Sequence, residues 1–299
     1  MLLSESLYHA LETSLKRLSP HSLPIRSIAP VSGGDINRAY RIKTATGDYF
    51  MKVNNNAQAT PMFLAESEGL VLLANTLGSS HVPQTHFFGN AHGEGFLIME
   101  WIDTGEKHTD HSQEALGRLL ASLHRQQADT YGLDHNNFIG QLPQCNARTS
   151  SWTDFFIEQR LQKQLELART LVDGTRLPRG FDRLFSNLDD LYPSERPALL
   201  HGDLWSGNYL VDTTGTPILI DPAVYYGHRE VDIAMTKLFG GFSKGFYDAY
   251  HETYPLQHGW EERVDLWNLY PLLVHLNLFG RSYLRAIQNN LKQYIGANS

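Results

Sequence analysis

His201-Gly202-Asp203-Leu204-Trp205-Ser206-Gly207-Asn208, read together with Asp221, is the stretch on which the interpretation of this chain turns. Asp203 precedes an amide, Asn208, and a second carboxylate, Asp221, closes the next short apolar run, Pro217 to Ile220. That donor set suits magnesium-dependent phosphoryl transfer. One carboxylate accepts the proton of an attacking hydroxyl, while the amide and the other carboxylate offer hard oxygen ligands to a cation. The plain alternative is a Gly-Asp turn ahead of a strand and an aspartate that caps a loop; Asn208 and Asp221 at these spacings favour the chemical reading.

Working outward, residues 103–299 are dominated by helical patterns. Leu116, Leu119, Leu120 and Leu123 form a stripe, and further helices are expected over 152–169, 181–191, 229–239, 243–254, 261–275 and 277–295. The apolar runs 198–200 and 217–220 read as short strands. The first third has a different texture. A helix over 2–18 carries Leu3, Leu7, Leu11, Leu15 and Leu18 on one stripe and is expected to pack outside a sheet. Strands are expected at 28–31, 39–42, 49–53, 85–88 and 96–101, with one helix over 62–77. Within Tyr49-Phe50-Met51-Lys52-Val53, Lys52 is either an edge lysine with its head in water or a phosphate-binding lysine aimed by an acid on the next helix. Glu66 and Glu68 are both available for that pairing, and periodicity favours neither. Gly33-Gly34 at the first strand turn allows backbone N–H groups to approach phosphate oxygens, though an ordinary hairpin needs the same residues.

Composition narrows the function classes. With 299 residues, 41% hydrophobic and 19% charged, the chain is a globular protein with sizeable cores rather than a disordered one. A formal charge of −7 disfavours a nucleic-acid partner. Cys145 is the only cysteine, which excludes an intramolecular disulfide and a multi-cysteine zinc site and fits a reducing cytoplasm. No signal peptide is expected, and no run approaches the roughly 18 apolar residues of a spanning helix. Walker-type, Gly-x-Ser-x-Gly and His-Glu-x-x-His motifs are absent, and His108 with His111 sits in a polar, loop-like stretch that argues against a metal site.

HGDLWSGN at 201–208, DPAVYYGHREVDIAMTKLFGGF at 221–242, WTDFFIEQRLQKQ at 152–164 and NFIGQLPQ at 137–144 together resemble the fructosamine kinase, or ketosamine-3-kinase, family. The resemblance runs from Gly33-Gly34 to about Gly280. It implies an α+β, two-lobed protein-kinase-like fold, with an antiparallel-sheet nucleotide-binding lobe over 1–102 and a helical catalytic and substrate-binding lobe over 103–299. The implied activity is ATP-dependent, with magnesium, and phosphorylates the sugar 3-hydroxyl of ketosamines, either free small molecules or glycated protein. By the same resemblance Asp203 is the catalytic base, Asn208 and Asp221 hold magnesium, and Lys52 with Glu66 meets the phosphates. Glu100, Trp101 and Ile102 form the hinge at adenine, and Trp205 and His275 contact the sugar. His275, in LLVHLNLFG, reads equally as a core histidine. Asp35 departs from what a phosphate site favours unless it points away. Asp221-Pro222-Ala223 and the lack of an Ala-Pro-Glu segment disfavour a protein substrate docked by an activation loop. An aminoglycoside- or choline-type phosphotransferase of the same fold is the first rival and a non-catalytic nucleotide-binding module the second; a monomer without membrane attachment is expected.

Overall fold

Alternation along the third strand organises the first part of the molecule. In the computed structural model, which describes residues 3–19, 21, 23–32, 36–173, 175 and 177–295, helix α1 (Glu5–Leu18) is followed by strands β1 (Ser27–Val31), β2 (Arg38–Lys43) and β3 (Asp48–Asn54), helix α2 (Ala59–Leu77), and strands β4 (Thr85–Ala91) and β5 (Glu94–Glu100). The strands form one antiparallel sheet in the order β1-β2-β3-β5-β4. Met51 and Val53 on β3, Phe96 and Ile98 on β5, and Tyr40 and Ile42 on β2 join Leu7, Leu11 and Leu15 of α1 in one buried cluster. Because successive side chains leave opposite faces of a strand, Lys52 points away from that cluster, to the side where α2 packs on β4 and β5.

The expected strands and both helices are present in this region. The strand ends differ from the expected bounds by up to three residues, with Trp101 falling outside β5, and both helices start elsewhere. The first helix starts at Glu5 because the Ser4 hydroxyl accepts from the Leu7 N–H and ends the extended segment there. The second begins at Ala59 rather than 62, since Pro61 lies in the first turn, where a helix needs no N–H from it.

The chain divides into two compact units, 1–107 with 210–221, and 108–209 with 222–299. The sequence boundary at 102/103 leaves 210–221 with the second half, whereas the structure ties that segment to the first unit. The Gly105 N–H donates to the Val211 carbonyl at 2.8 Å, Thr104 bridges Asp212, and a ring nitrogen of His81 meets the Pro217 carbonyl at 2.9 Å. A Cβ on Gly105 would lie 2.4 Å from the Asp212 carbonyl oxygen, so only glycine admits this approach.

The second unit contains α3 (Asp110–His124), β6 (Asn137–Ile139), β7 (Leu142–Gln144), α4 (Trp152–Asp154), a π-helical turn at Phe155–Leu161, α5 (Gln162–Leu167), α6 (Arg169–Val172), α7 (Leu177–Asn187) and β8 (Ala198–Leu200). The pair β9 (Tyr209–Val211) and β10 (Pro217–Leu219) leads back through the first unit. Then come β11 (Tyr225–Gly227), α8 (Glu230–Leu238), α9 (Lys244–Thr253), α10 (Trp260–Trp267), α11 (Leu269–Phe279) and α12 (Leu284–Lys292). The helix expected over 152–169 carries the π-helical turn, which turns the guanidinium of Arg160 inward over the Tyr225 ring at 4.0 Å. The helix expected over 181–191 instead runs from Leu177 to Asn187, followed by a 3₁₀ turn. The pattern read as 261–275 breaks at Asn268, whose side chain donates to the Ala234 carbonyl at 2.9 Å. Gly280, at φ +90, then ends α11 at Phe279, so the last helix begins at Leu284 rather than 277.

Candidate functional site

In the first unit, Lys52 is 5% exposed and therefore requires compensation. Its Nζ donates to Glu66 Oε1 at 2.7 Å and to Asp221 Oδ1 at 2.5 Å. The pairing open between Glu66 and Glu68 thus lies with Glu66, while Glu68 is exposed. Burial works against the ammonium, but Asp221 and Glu66 override it and hold Lys52 well above its ordinary value. Two carboxylates share one cation, and burial pushes the more enclosed of them, Glu66, up to about 7 against the pull of Lys52. Asp221 has φ +54, in the left-handed region that a short polar side chain tolerates best after glycine. Its side chain keeps 40% exposure.

Glu100 closes β5, its N–H donating to the Gln84 carbonyl at 2.8 Å, and Trp101 and Ile102 follow beyond the strand. The Trp101 ring lies under the Arg41 guanidinium at 4.2 Å, and its N–H donates to Asp103 at 2.9 Å. Gly33, Gly34 and Asp35 lie outside the described residues.

In the second unit, β8 delivers the chain to His201 and pairs with β11, and the Ala223 N–H donates to the His201 carbonyl at 2.9 Å. Gly202 has φ +83, and a Cβ there would fall 2.1 Å from the Ala223 carbonyl oxygen, so the tight turn before Asp203 requires glycine. The Asn208 amide donates to the Asp203 carbonyl at 2.8 Å and to Asp203 Oδ2 at 2.9 Å. The amide nitrogen faces the aspartate, which leaves the Asn208 oxygen as the donor atom for a cation. Trp205 is 37% exposed and lies against Gly207, where a Cβ would fall 2.2 Å from the ring. His275 is half-buried and donates through Nδ1 to the Pro271 carbonyl at 2.7 Å.

Asp232 on α8, which lies outside the residues that the sequence marks for chemistry, organises this loop. Its Oδ2 accepts from the His201 N–H at 2.7 Å and pairs with His124 Nε2 at 3.1 Å, and its Oδ1 accepts from the Gly202 N–H at 2.9 Å. His124 in turn meets the Tyr250 hydroxyl at 2.7 Å. The available signal was a carboxylate inside the apolar run Val231-Asp232-Ile233-Ala234, since a buried acid must find donors. Burial would raise Asp232, but the His124 hydrogen bond and charge and the Gly202 N–H hold it below its ordinary value.

A group whose folded value is depressed adds stability above its unfolded value, 3.8 for an aspartate, and loses it as pH falls through the lower folded value. Asp232→Asn turns an N–H₂ towards donors and is expected to cost about 3 kcal/mol at neutral pH. The difference from the parent protein should narrow below about pH 4. Urea midpoints measured across pH 2.5–7 check this, and a gap that stays constant into acid rejects it.

Among the described residues no group of three or more His, Cys, Asp or Glu side chains is placed to hold a metal, and no helix is long and apolar enough to cross a membrane. Asn208 and Asp221 each carry the kind of hard oxygen donor that magnesium takes, one or two of which are characteristic of its protein sites.

The family model described as "Fructosamine kinase" matches residues 7–297. A "Probable ketoamine kinase" of Lactiplantibacillus plantarum is 43% identical over 274 residues, covering 90% of this chain and 95% of that one. "Protein-ribulosamine 3-kinase, chloroplastic" of Arabidopsis thaliana is 38% identical over 276 residues, 91% of this chain and 83% of that one. A crystal structure provisionally named fructosamine-3-kinase, from Thermobifida fusca, superposes with a TM-score of 0.84 at 33% identity over 95% of this chain and 98% of that one.

Proposed function

The chain belongs to the fructosamine kinase family, and on that premise we propose that it transfers the γ-phosphoryl group of ATP to the 3-hydroxyl of ketosamines such as fructosamines and ribulosamines. The observation that carries this reading is the family match over 7–297, which contains every residue assigned a role here. The fold is protein-kinase-like and α+β. Residues 1–102 act as the nucleotide-binding lobe and 103–299 as the catalytic and substrate-binding lobe, with Asp221 supplied by the segment that groups with the first unit.

Asp203 takes the proton of the sugar hydroxyl as its oxygen bonds to the γ-phosphorus, and the bond from that phosphorus to the bridging oxygen of ADP breaks. The Asn208 amide on Asp203 Oδ2 orients the carboxylate for that transfer. Lys52, aimed by Glu66, neutralises nucleotide phosphates. Asn208 and Asp221 are the residues that would hold magnesium, whose contribution when bound is neutralisation of phosphate charge. Glu100 to Ile102 meet adenine through the backbone, and Trp205 and His275 hold the sugar. Gly33 and Gly34 complete the phosphate site. The substrate is a free ketosamine or a glycated protein, and the single cysteine fits a cytoplasmic setting.

An ATP-consumption screen across ketosamines, aminoglycosides and choline tests the reading, with NMR of the product locating the phosphate. Ketosamines phosphorylated on O3 are expected, with turnover abolished in excess EDTA. Far better turnover of aminoglycosides, or phosphate on another oxygen, rejects the substrate assignment, and activity persisting in EDTA rejects the magnesium one.

A further inference from the structure

Aromatic side chains with large exposed surface are concentrated next to the loop that carries Asp203. Trp205, Phe239 and Phe279 are 37%, 43% and 47% exposed. They belong to one continuous strip: Trp205 meets Phe239 edge-on with centroids 6.2 Å apart, and Phe239 meets His275 at 4.9 Å. His275 then meets Phe279 at 5.4 Å and Tyr283 at 5.1 Å. Hydration disfavours such a clustered apolar surface, and clusters of this kind in soluble proteins mark binding sites. Phe239 sits just past the end of α8, Phe279 ends α11 and Tyr283 ends the following 3₁₀ turn, so three element termini converge on the strip.

The electronic character of these rings narrows what they bind. Each ring face carries partial negative charge and attracts a cation within about 6 Å of its centroid. His275 belongs to this surface as a neutral ring: burial pushes it below its ordinary value, and its Nδ1–H is committed to the Pro271 carbonyl. Resting on the function proposed above, the chemistry of the acceptor supplies a cation in the right neighbourhood. A ketosamine bears its amine on C1 and the acceptor hydroxyl on C3, and the secondary amine is protonated at neutral pH. A sugar held with its 3-hydroxyl at Asp203 therefore directs its ammonium, and the carbon attached to it, away from the base along the adjoining surface.

We propose that the strip Trp205–Phe239–His275–Phe279–Tyr283 is the subsite for the protonated amine of the ketosamine and the apolar carbons next to it. Trp205 and His275 form the end shared with the sugar, and Phe239, Phe279 and Tyr283 extend it. The enzyme thereby selects an amine-linked ketose over the same ketose joined to an uncharged group.

The test compares N-benzyl fructosamine with its N-acetyl derivative, which keeps the sugar and the benzyl group but loses the charge. For the unaltered protein, KM for the acetylated compound is expected to be about tenfold higher. In Phe239→Leu/Phe279→Leu the two values should converge to within about twofold, chiefly because KM for the amine rises, with KM for ATP unchanged. Phe239→Tyr/Phe279→Tyr, which restores ring faces, should restore the gap, whereas Leu167→Ala, an exposed apolar residue elsewhere in the second unit, should leave it intact. Equal KM values for both compounds in the unaltered protein, or a gap that survives the double Leu substitution, overturn the subsite while leaving O3 phosphorylation standing. Absence of phosphorylation of both compounds instead overturns the proposed function and the subsite with it.

Discussion

Asp203→Asn is expected to lower kcat by about 10² to 10⁴ while nucleotide affinity stays within about twofold. The substitution is nearly isosteric and removes the basic oxygen pair that would take the hydroxyl proton. The local frame that surrounds this residue does not depend on its charge: the Asn208 amide can still donate to the Asp203 backbone carbonyl, and the preceding turn is held by Asp232 on the His201 and Gly202 N–H groups. A folded variant should therefore bind nucleotide and sugar and fail at the chemical step. Isothermal titration for the nucleotide and single-turnover rates for the phosphoryl step separate the two. Turnover close to that of the parent protein would remove Asp203 from the role of base.

The second large effect concerns Lys52. Lys52→Met leaves Glu66 and Asp221 without the cation that both contact and, on the function proposed above, would leave nucleotide phosphates without a point charge. A fall in kcat/KM of about 10² to 10³ is expected. Glu66→Gln is milder, about tenfold, because Asp221 at 2.5 Å still holds the ammonium and what is lost is its aim. Since both changes disable one device, the double variant should be little worse than Lys52→Met alone. Steady-state kinetics on the four proteins check this, and purely additive losses would show that the two residues act separately.

How much of this could be read from the sequence differs by residue, for physical reasons. The sheet was legible because its strands show in the sequence as short apolar runs, such as Tyr49 to Val53 and Phe96 to Trp101, separated by turn residues, of which Gly47 lies between β2 and β3. The choice between Glu66 and Glu68 was not. Phe63, Leu70 and Leu73 mark the buried face of α2, but Leu64 and Val71 are apolar as well and are 39% and 51% exposed, so the pattern does not decide which of the two acids turns to the lysine. The strands β6, β7, β9 and β11 have three residues each, too few to display a period; β6 pairs with β7 and β9 with β10 across short turns, and only β11 pairs with a distant segment, β8. The π-helical turn keeps the apolar spacing of an ordinary helix at its ends, so Phe155–Leu161 gave no sign of itself. Asp203 and Asn208, which meet in the structure, could be picked out together because they lie close in sequence, whereas His124 and Asp232 meet only through the fold.

The ion pair between Lys52 and Asp221 bears on the order in which ligands arrive. With Asp221 as a metal ligand, a free divalent cation must compete with an ammonium already 2.5 Å from Oδ1. Phosphates that draw Lys52 towards themselves remove that competitor, so nucleotide and cation each lower the other's cost of entry. Thermodynamic reciprocity then requires that the factor by which ATP tightens the cation equal the factor by which the cation tightens ATP. On the role proposed for Asp221, an affinity for magnesium would be a property of how much nucleotide is present, and a quoted value would carry meaning only with that concentration beside it.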